Sequence, residues 1–152
     1  MSVDDDGRAS GADGPRRPLL IAADDGIDSA IALARASVDD ARVQPLVLLG
    51  TTDRFAFKPR PSTLLVPGMP ADAIATLPLL ENLGVPVRLA SLRSSPGCFE
   101  GTVIDLAANW LESLSARERE AVEIVAVGDG ALAEAAAALA RRVGVPARVS
   151  RS

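Results

Sequence analysis

Short apolar runs alternate along this chain with segments of helical periodicity, and that alternation limits the possible folds more than any other feature. Leu19–Ala23 (LLIAA) and Pro45–Leu49 (PLVLL) are apolar without a break. Runs of that length suit strands buried on both faces. Val87–Ala90, Val122–Val127 and Ala147–Ser150 read as further strands, and Thr63–Val66 as an additional short one. Between them, Ile27–Ala36 places Ile27, Ala30, Ile31 and Ala34 on one face of a helix. Ala71–Leu83, Thr102–Leu114 and Ala131–Val143 read as helices as well; Gly84 with Pro86, and Gly144 with Pro146, stop the first and the last. Thr51–Ser62, with Phe55, Phe57, Pro59, Pro61 and the sole lysine Lys58, reads as a loop with a short extended piece.

Strand–helix alternation predicts an α/β fold: three layers, doubly wound, with a mostly parallel sheet of five or six strands. The expected domain spans residues 18–152. Residues 1–17, rich in Gly, Asp and Arg, read as a disordered tail.

Composition removes much chemistry. The chain has no His and no Tyr, so a Ser-His-Asp or Cys-His nucleophile is impossible. One cysteine, Cys98, excludes an internal disulfide and an all-protein iron–sulfur cluster, and leaves a zinc site without its usual ligands. Cys98 has no adjacent base and reads as a passive thiol. The net charge of -4 argues against nucleic acid or an acidic membrane surface as partner. No apolar run reaches the ~18 residues of a membrane span, and the acidic N-terminus lacks a signal-peptide core, so the expected location is cytoplasmic.

In a doubly wound sheet, ligands bind beyond the carboxyl ends of the strands. The candidate cleft is therefore Asp24, Asp25, Gly26 and Ile27 after the first strand, Gly50 and Thr51 after the second, and Gly128, Asp129 and Gly130 after Val127. A helix start there favours an anion, but Ala23–Ser29 carries three aspartates and one glycine. Each carboxylate beside a phosphate costs between ~1 and ~4 kcal/mol, depending on solvent access. Aspartate at a helix start also acts as a cap, which makes a structural role for this loop the leading one. A divalent cation on the acidic pair is a lesser alternative. Trp110, at helical spacing from Leu106, reads as core, and Arg141-Arg142 as a solvated helix end.

PLLENLGVPVRLASLRSSPGCFEGTVIDLAANWLESL, followed by VEIVAVGDGALAEAAAALARRVGVPARVS, resembles the ferredoxin–NADP reductase superfamily, and most of all the dihydroorotate dehydrogenase electron-transfer subunit. The resemblance spans about Pro18 to Ser150 and is most specific over Pro96–Leu114 and Val122–Val149. In that family a flavin-binding barrel precedes the nucleotide domain, and a cysteine cluster holding a [2Fe-2S] centre follows it. The resemblance here covers the nucleotide domain alone. It departs from the pattern at the loops that would touch a dinucleotide. The family's Gly-Gly-x-Gly-Ile-x-Pro turn corresponds to Ala23–Ser29, which keeps only Gly26 and Ile27. The family's Cys-Gly-Pro turn corresponds to Val127, Gly128 and Asp129, which keeps only the glycine.

The resemblance therefore implies a diverged NAD(P)-binding-like domain that does not catalyse alone. Any NAD(P) binding is expected to be weak, with no stably bound cofactor, no FAD and no iron–sulfur cluster on this chain. The expected partner is a flavoprotein or dehydrogenase subunit. One alternative is the nucleotide-binding component of a split oxidoreductase whose flavin sits on another chain. Another is a universal-stress-type nucleotide-binding protein, which LLIAADDGIDSAIALA suggests but which lacks that family's glycine-rich loop after Gly128. A phosphoacceptor receiver domain would need a lysine after its last strands, and Lys58 is elsewhere.

Overall fold

A computed structural model describes residues 16–24 and 27–150. The chain forms β1 (Arg17–Asp24), α1 (Ile27–Val38), β2 (Val43–Thr51), β3 (Arg60–Pro61), β4 (Ala75–Thr76), α2 (Pro78–Glu81), β5 (Val87–Ser91), β6 (Phe99–Glu100), α3 (Val103–Ser113), α4 (Ala116–Glu120), β7 (Glu123–Val127), α5 (Gly130–Val143) and β8 (Ala147–Ser150). Six strands make one parallel sheet in the order β6-β5-β2-β1-β7-β8, and β3 pairs antiparallel with β4 outside it. This is the expected α/β doubly wound, Rossmann-like architecture, with the sheet parallel throughout.

The apolar runs work as their composition demands. Leu19–Ala23 is buried at every position. Strand geometry sends alternate residues to opposite faces. Leu20 and Ala22 join Leu48, Val103, Leu106, Leu132 and Ala136, so α3 and α5 cover that face. Leu19, Ile21 and Ala23 join Ala30, Ala34, Val47 and Leu80, so α1 and α2 cover the other. Alanines at the contact let α1 lie close to the sheet, as a chain poor in aromatics requires. Burial of these two aliphatic layers is the dominant stabilisation, at roughly 25 cal/mol per Å² of apolar surface. Trp110 is core, as read; its indole Nε1 donates to the Pro67 carbonyl at 3.1 Å.

Several boundaries differ from expectation. Residues 1–15 of the tail lie outside the described residues, and Arg17 belongs to β1 rather than to the tail. The helix expected over 71–83 is instead β4 followed by the single turn α2. Pro78 disfavours a helical conformation at the residue before it, and Leu77 is extended (φ -91, ψ 112). The Ile74 and Ala75 amides both donate to the Gly97 carbonyl, at 3.0 and 2.8 Å. Thr63–Val66 is a loop, not a strand; the buried Arg88 guanidinium holds it by donating to the Leu64 carbonyl at 2.6 Å. The extended piece of the Thr51–Ser62 loop is β3. Two elements, α4 and β6, are not among those expected from the sequence. Ser115-x-x-Glu118 is a capping box and was the available signal for α4; β6 is two residues on a sheet edge.

Candidate functional site

The strand order reverses between β1 and β7. The chain winds outward from β1 through β2 to β5 and β6, then crosses to β7 and β8. Ala23 pairs with Val127, and Asp24 with Gly50. The outgoing turns of β1, β2 and β7 therefore meet at the carboxyl edge, as expected for a switch point.

Each candidate residue has a definite place. Asp24 ends β1 and is exposed; Asp25 and Gly26 lie outside the described residues. Ile27 is the first residue of α1 and packs its side chain on the α1 layer of the core. Asp28 sits in the first turn of α1, where its charge complements the helix dipole. Gly50 is covered: a Cβ there would stand 2.9 Å from the Val103 Cβ. Thr51 is buried, and its hydroxyl accepts the Asp53 amide at 3.2 Å. These last two positions therefore have packing and turn roles.

Gly128 has φ +155, and a Cβ on it would lie 2.9 Å from Leu132 Cδ2 and 3.8 Å from the Asp24 carbonyl oxygen. The β1 and β7 turns are thus in near contact. Asp129 is the N-cap of α5: its Oδ1 accepts the Leu132 amide at 3.0 Å, and its carbonyl accepts the Ala133 amide at 3.0 Å. A side chain at Gly130 would meet nothing within 4 Å, so packing does not explain that glycine.

A pyrophosphate at this edge would seek the free amides and positive end of α5. Asp129 supplies an anion there already. The donor set at the switch point, with one amide satisfied and a carboxylate in place, fits a dinucleotide phosphate poorly. Cys98 is remote from such chemistry: burial pushes its thiol up, partly offset by Ser95, so it stays protonated. Among the described residues, no group of three or more acidic, Cys or His side chains is placed to hold a metal ion, and no helix is long and apolar enough to cross a membrane.

The loop after β2 forms two clefts that were not expected from the sequence. One, of about 420 Å³, opens beyond β2 and β5 and is lined by Arg54, Phe55, Phe57, Lys58, Arg93 and Ser94, among others. The Phe55 and Phe57 rings lie 4.9 Å apart at 35°. Arg93 pairs with Asp53 at 2.5 Å; both are exposed, so the pair adds little stability. Arg54 and Lys58 form no ion pair among the described residues. The sequence signal was the only lysine and two of the three phenylalanines within one short loop.

The second cleft, of about 610 Å³, lies between that loop, β4 and α2. Glu81 stands in its wall. The carboxylate accepts the Ser62 hydroxyl at 2.5 Å, the Thr63 amide at 3.0 Å and the Thr63 hydroxyl at 3.1 Å. Burial pushes the Glu81 carboxyl up, but these donors, with Thr76 nearby, outweigh it and hold the group below the usual carboxylate range. Glu81 is therefore ionised at neutral pH. Searches of the sequence against protein-family models and against curated proteins found no match.

Proposed function

We propose that this chain is a diverged nucleotide-binding-like domain, related to the electron-transfer subunit of dihydroorotate dehydrogenase, that acts as an accessory or regulatory partner in redox metabolism. Its dehydrogenase or flavoprotein partner performs the chemistry. The observation that carries this reading is the Asp129 carboxylate on the Leu132 amide. The one helix start at β7 that would receive a dinucleotide phosphate is held by the chain's own anion. The aspartates at 24 and 28 add negative charge on the neighbouring turn. Calorimetric titration of the protein with NADH and NADPH tests it: neither nucleotide should bind in the micromolar range, and low-micromolar binding by the unmodified chain overturns the reading.

One observation favours a second reading, a nucleotide-binding component of a split oxidoreductase. Arg54 and Lys58, without an ion-pair partner among the described residues, stand beside Phe55 and Phe57 at the carboxyl edge. Cations take phosphates and aromatic faces take bases, so this cleft would hold a nucleotide away from the switch point. Under this reading NADPH binds, Arg54→Ala weakens it, and Asp129→Asn leaves it unchanged.

A further inference from the structure

The cleft between β4 and α2 shares Phe57 and Lys58 with its neighbour and adds features of its own. Lys58 and Arg60 stand on its rim. Neither side chain forms an ion pair or hydrogen bond among the described residues, on a chain whose net charge is -4. Phe57, Pro61 and Leu79 give the cleft flat apolar walls, and Leu79 is 45% exposed. The buried Thr76 hydroxyl is in the wall as well, beside the Glu81 carboxylate. The volume lies within the range of about 300–1,000 Å³ typical of small-molecule sites.

We propose that this cleft binds a small planar organic carboxylate. Its carboxylate sits between Lys58 and Arg60, and its apolar body lies against Phe57, Pro61 and Leu79. Guanidinium and carboxylate match in shape as well as charge. Glu81 decides between a monoanion and a dianion. It is ionised and lines the same cleft, with its charge offset in part by the buried Arg88 behind it. One carboxylate is held by Lys58 and Arg60; the second charge of a phosphate dianion would meet the repulsion of Glu81. The site is distinct from the switch point, so its failure would leave the accessory-domain reading untouched.

The test is an NMR titration of the full ¹⁵N-labelled chain with sodium benzoate, against neutral benzamide and inorganic phosphate. Benzoate should shift the amides of Thr76, Leu77, Leu79 and Asn82 saturably at millimolar concentration. Benzamide should bind at least about tenfold more weakly, since the charge carries the interaction. Arg60→Ala should weaken benzoate by about tenfold, whereas Arg54→Ala, in the neighbouring cleft, should leave it unchanged. Both residues are exposed, so an unaltered melting curve checks that each variant folds. Three results overturn the proposal: no saturable shifts with benzoate, equal binding of benzamide, or an Arg60→Ala chain that binds as the original does. Phosphate binding more tightly than benzoate at these amides overturns the ligand class.

Discussion

Val103 rests directly on Gly50: a Cβ added to the glycine would come within 2.9 Å of the Val103 Cβ and 3.4 Å of its backbone nitrogen. Both residues are buried, and the neighbouring atoms include helix backbone, which cannot turn aside as a flexible side chain would. The glycine thus sets how closely α3 approaches the end of β2. Gly50→Ala should destabilise the domain by about 1–3 kcal/mol through overpacking. Urea denaturation followed by the fluorescence of the single Trp110 measures this, as a lower midpoint with an unchanged slope.

Two capping boxes allow a comparison of helices with different burdens. Thr102 accepts the Asp105 amide at 3.0 Å at the start of α3, which buries Val103, Leu106, Ala107, Trp110 and Leu111. Ser115 accepts the Glu118 amide at 3.1 Å at the start of α4, which buries nothing. Thr102→Ala should cost about 0.5–2 kcal/mol of global stability. Ser115→Ala should leave the denaturation midpoint nearly unchanged and speed amide exchange only within α4.

The contrast between β1 and α2 shows what the sequence contained. Leu19–Ala23 is apolar on both faces because both faces are covered, so strand and layer order were legible in five residues. Ala71–Leu83 is also rich in Ala, Leu and Ile but has a different fate. Its course depends on the Gly97 carbonyl, which lies far along the chain and takes the Ile74 and Ala75 amides. Pro78 was the local hint. At the site, the meeting of Asp24 with Gly128 followed from the topology expected of the alternation. The cap formed by Asp129 is legible in its residue type, by the same rule that applies to the Asp24 loop. The clefts were not legible, because they arise where one loop folds over β4 and α2.

Glu81 should make stability sensitive to acid. Its folded-state pKa lies below its unfolded value, chiefly because the Ser62 and Thr63 donors outweigh the upward push of burial. A depressed carboxyl pKa stabilises the fold above the unfolded pKa of about 4.3. That contribution is lost as pH falls through the folded value. Glu81→Gln removes the charge and the titration together. The original chain should therefore lose more stability than the variant between about pH 5 and pH 3. Melting temperatures across that window decide it; parallel curves for the two proteins would show that Glu81 carries no such linkage.

The last prediction separates the structural and electrostatic roles of Asp129. Asparagine caps a helix about as well as aspartate, so Asp129→Asn keeps the bond to the Leu132 amide while removing the charge. Alanine removes both. Asp129→Ala should cost about 0.5–2 kcal/mol of stability, and Asp129→Asn only a few tenths, from the lost interaction with the helix dipole. Nucleotide affinity should follow a different order. If the carboxylate repels a phosphate at the start of α5, both variants relieve a penalty between ~1 and ~4 kcal/mol. NADH binding should then strengthen by about fivefold or more in either variant. Added salt should narrow the gap from the original chain, because it screens an exposed charge. Calorimetry at two salt concentrations reads all three quantities. An Asp129→Asn chain that is stable yet binds no better than the original would show that the carboxylate is a cap alone. Weak binding would then follow from a first turn, Ala23–Ser29, with only one glycine for close approach of a phosphate.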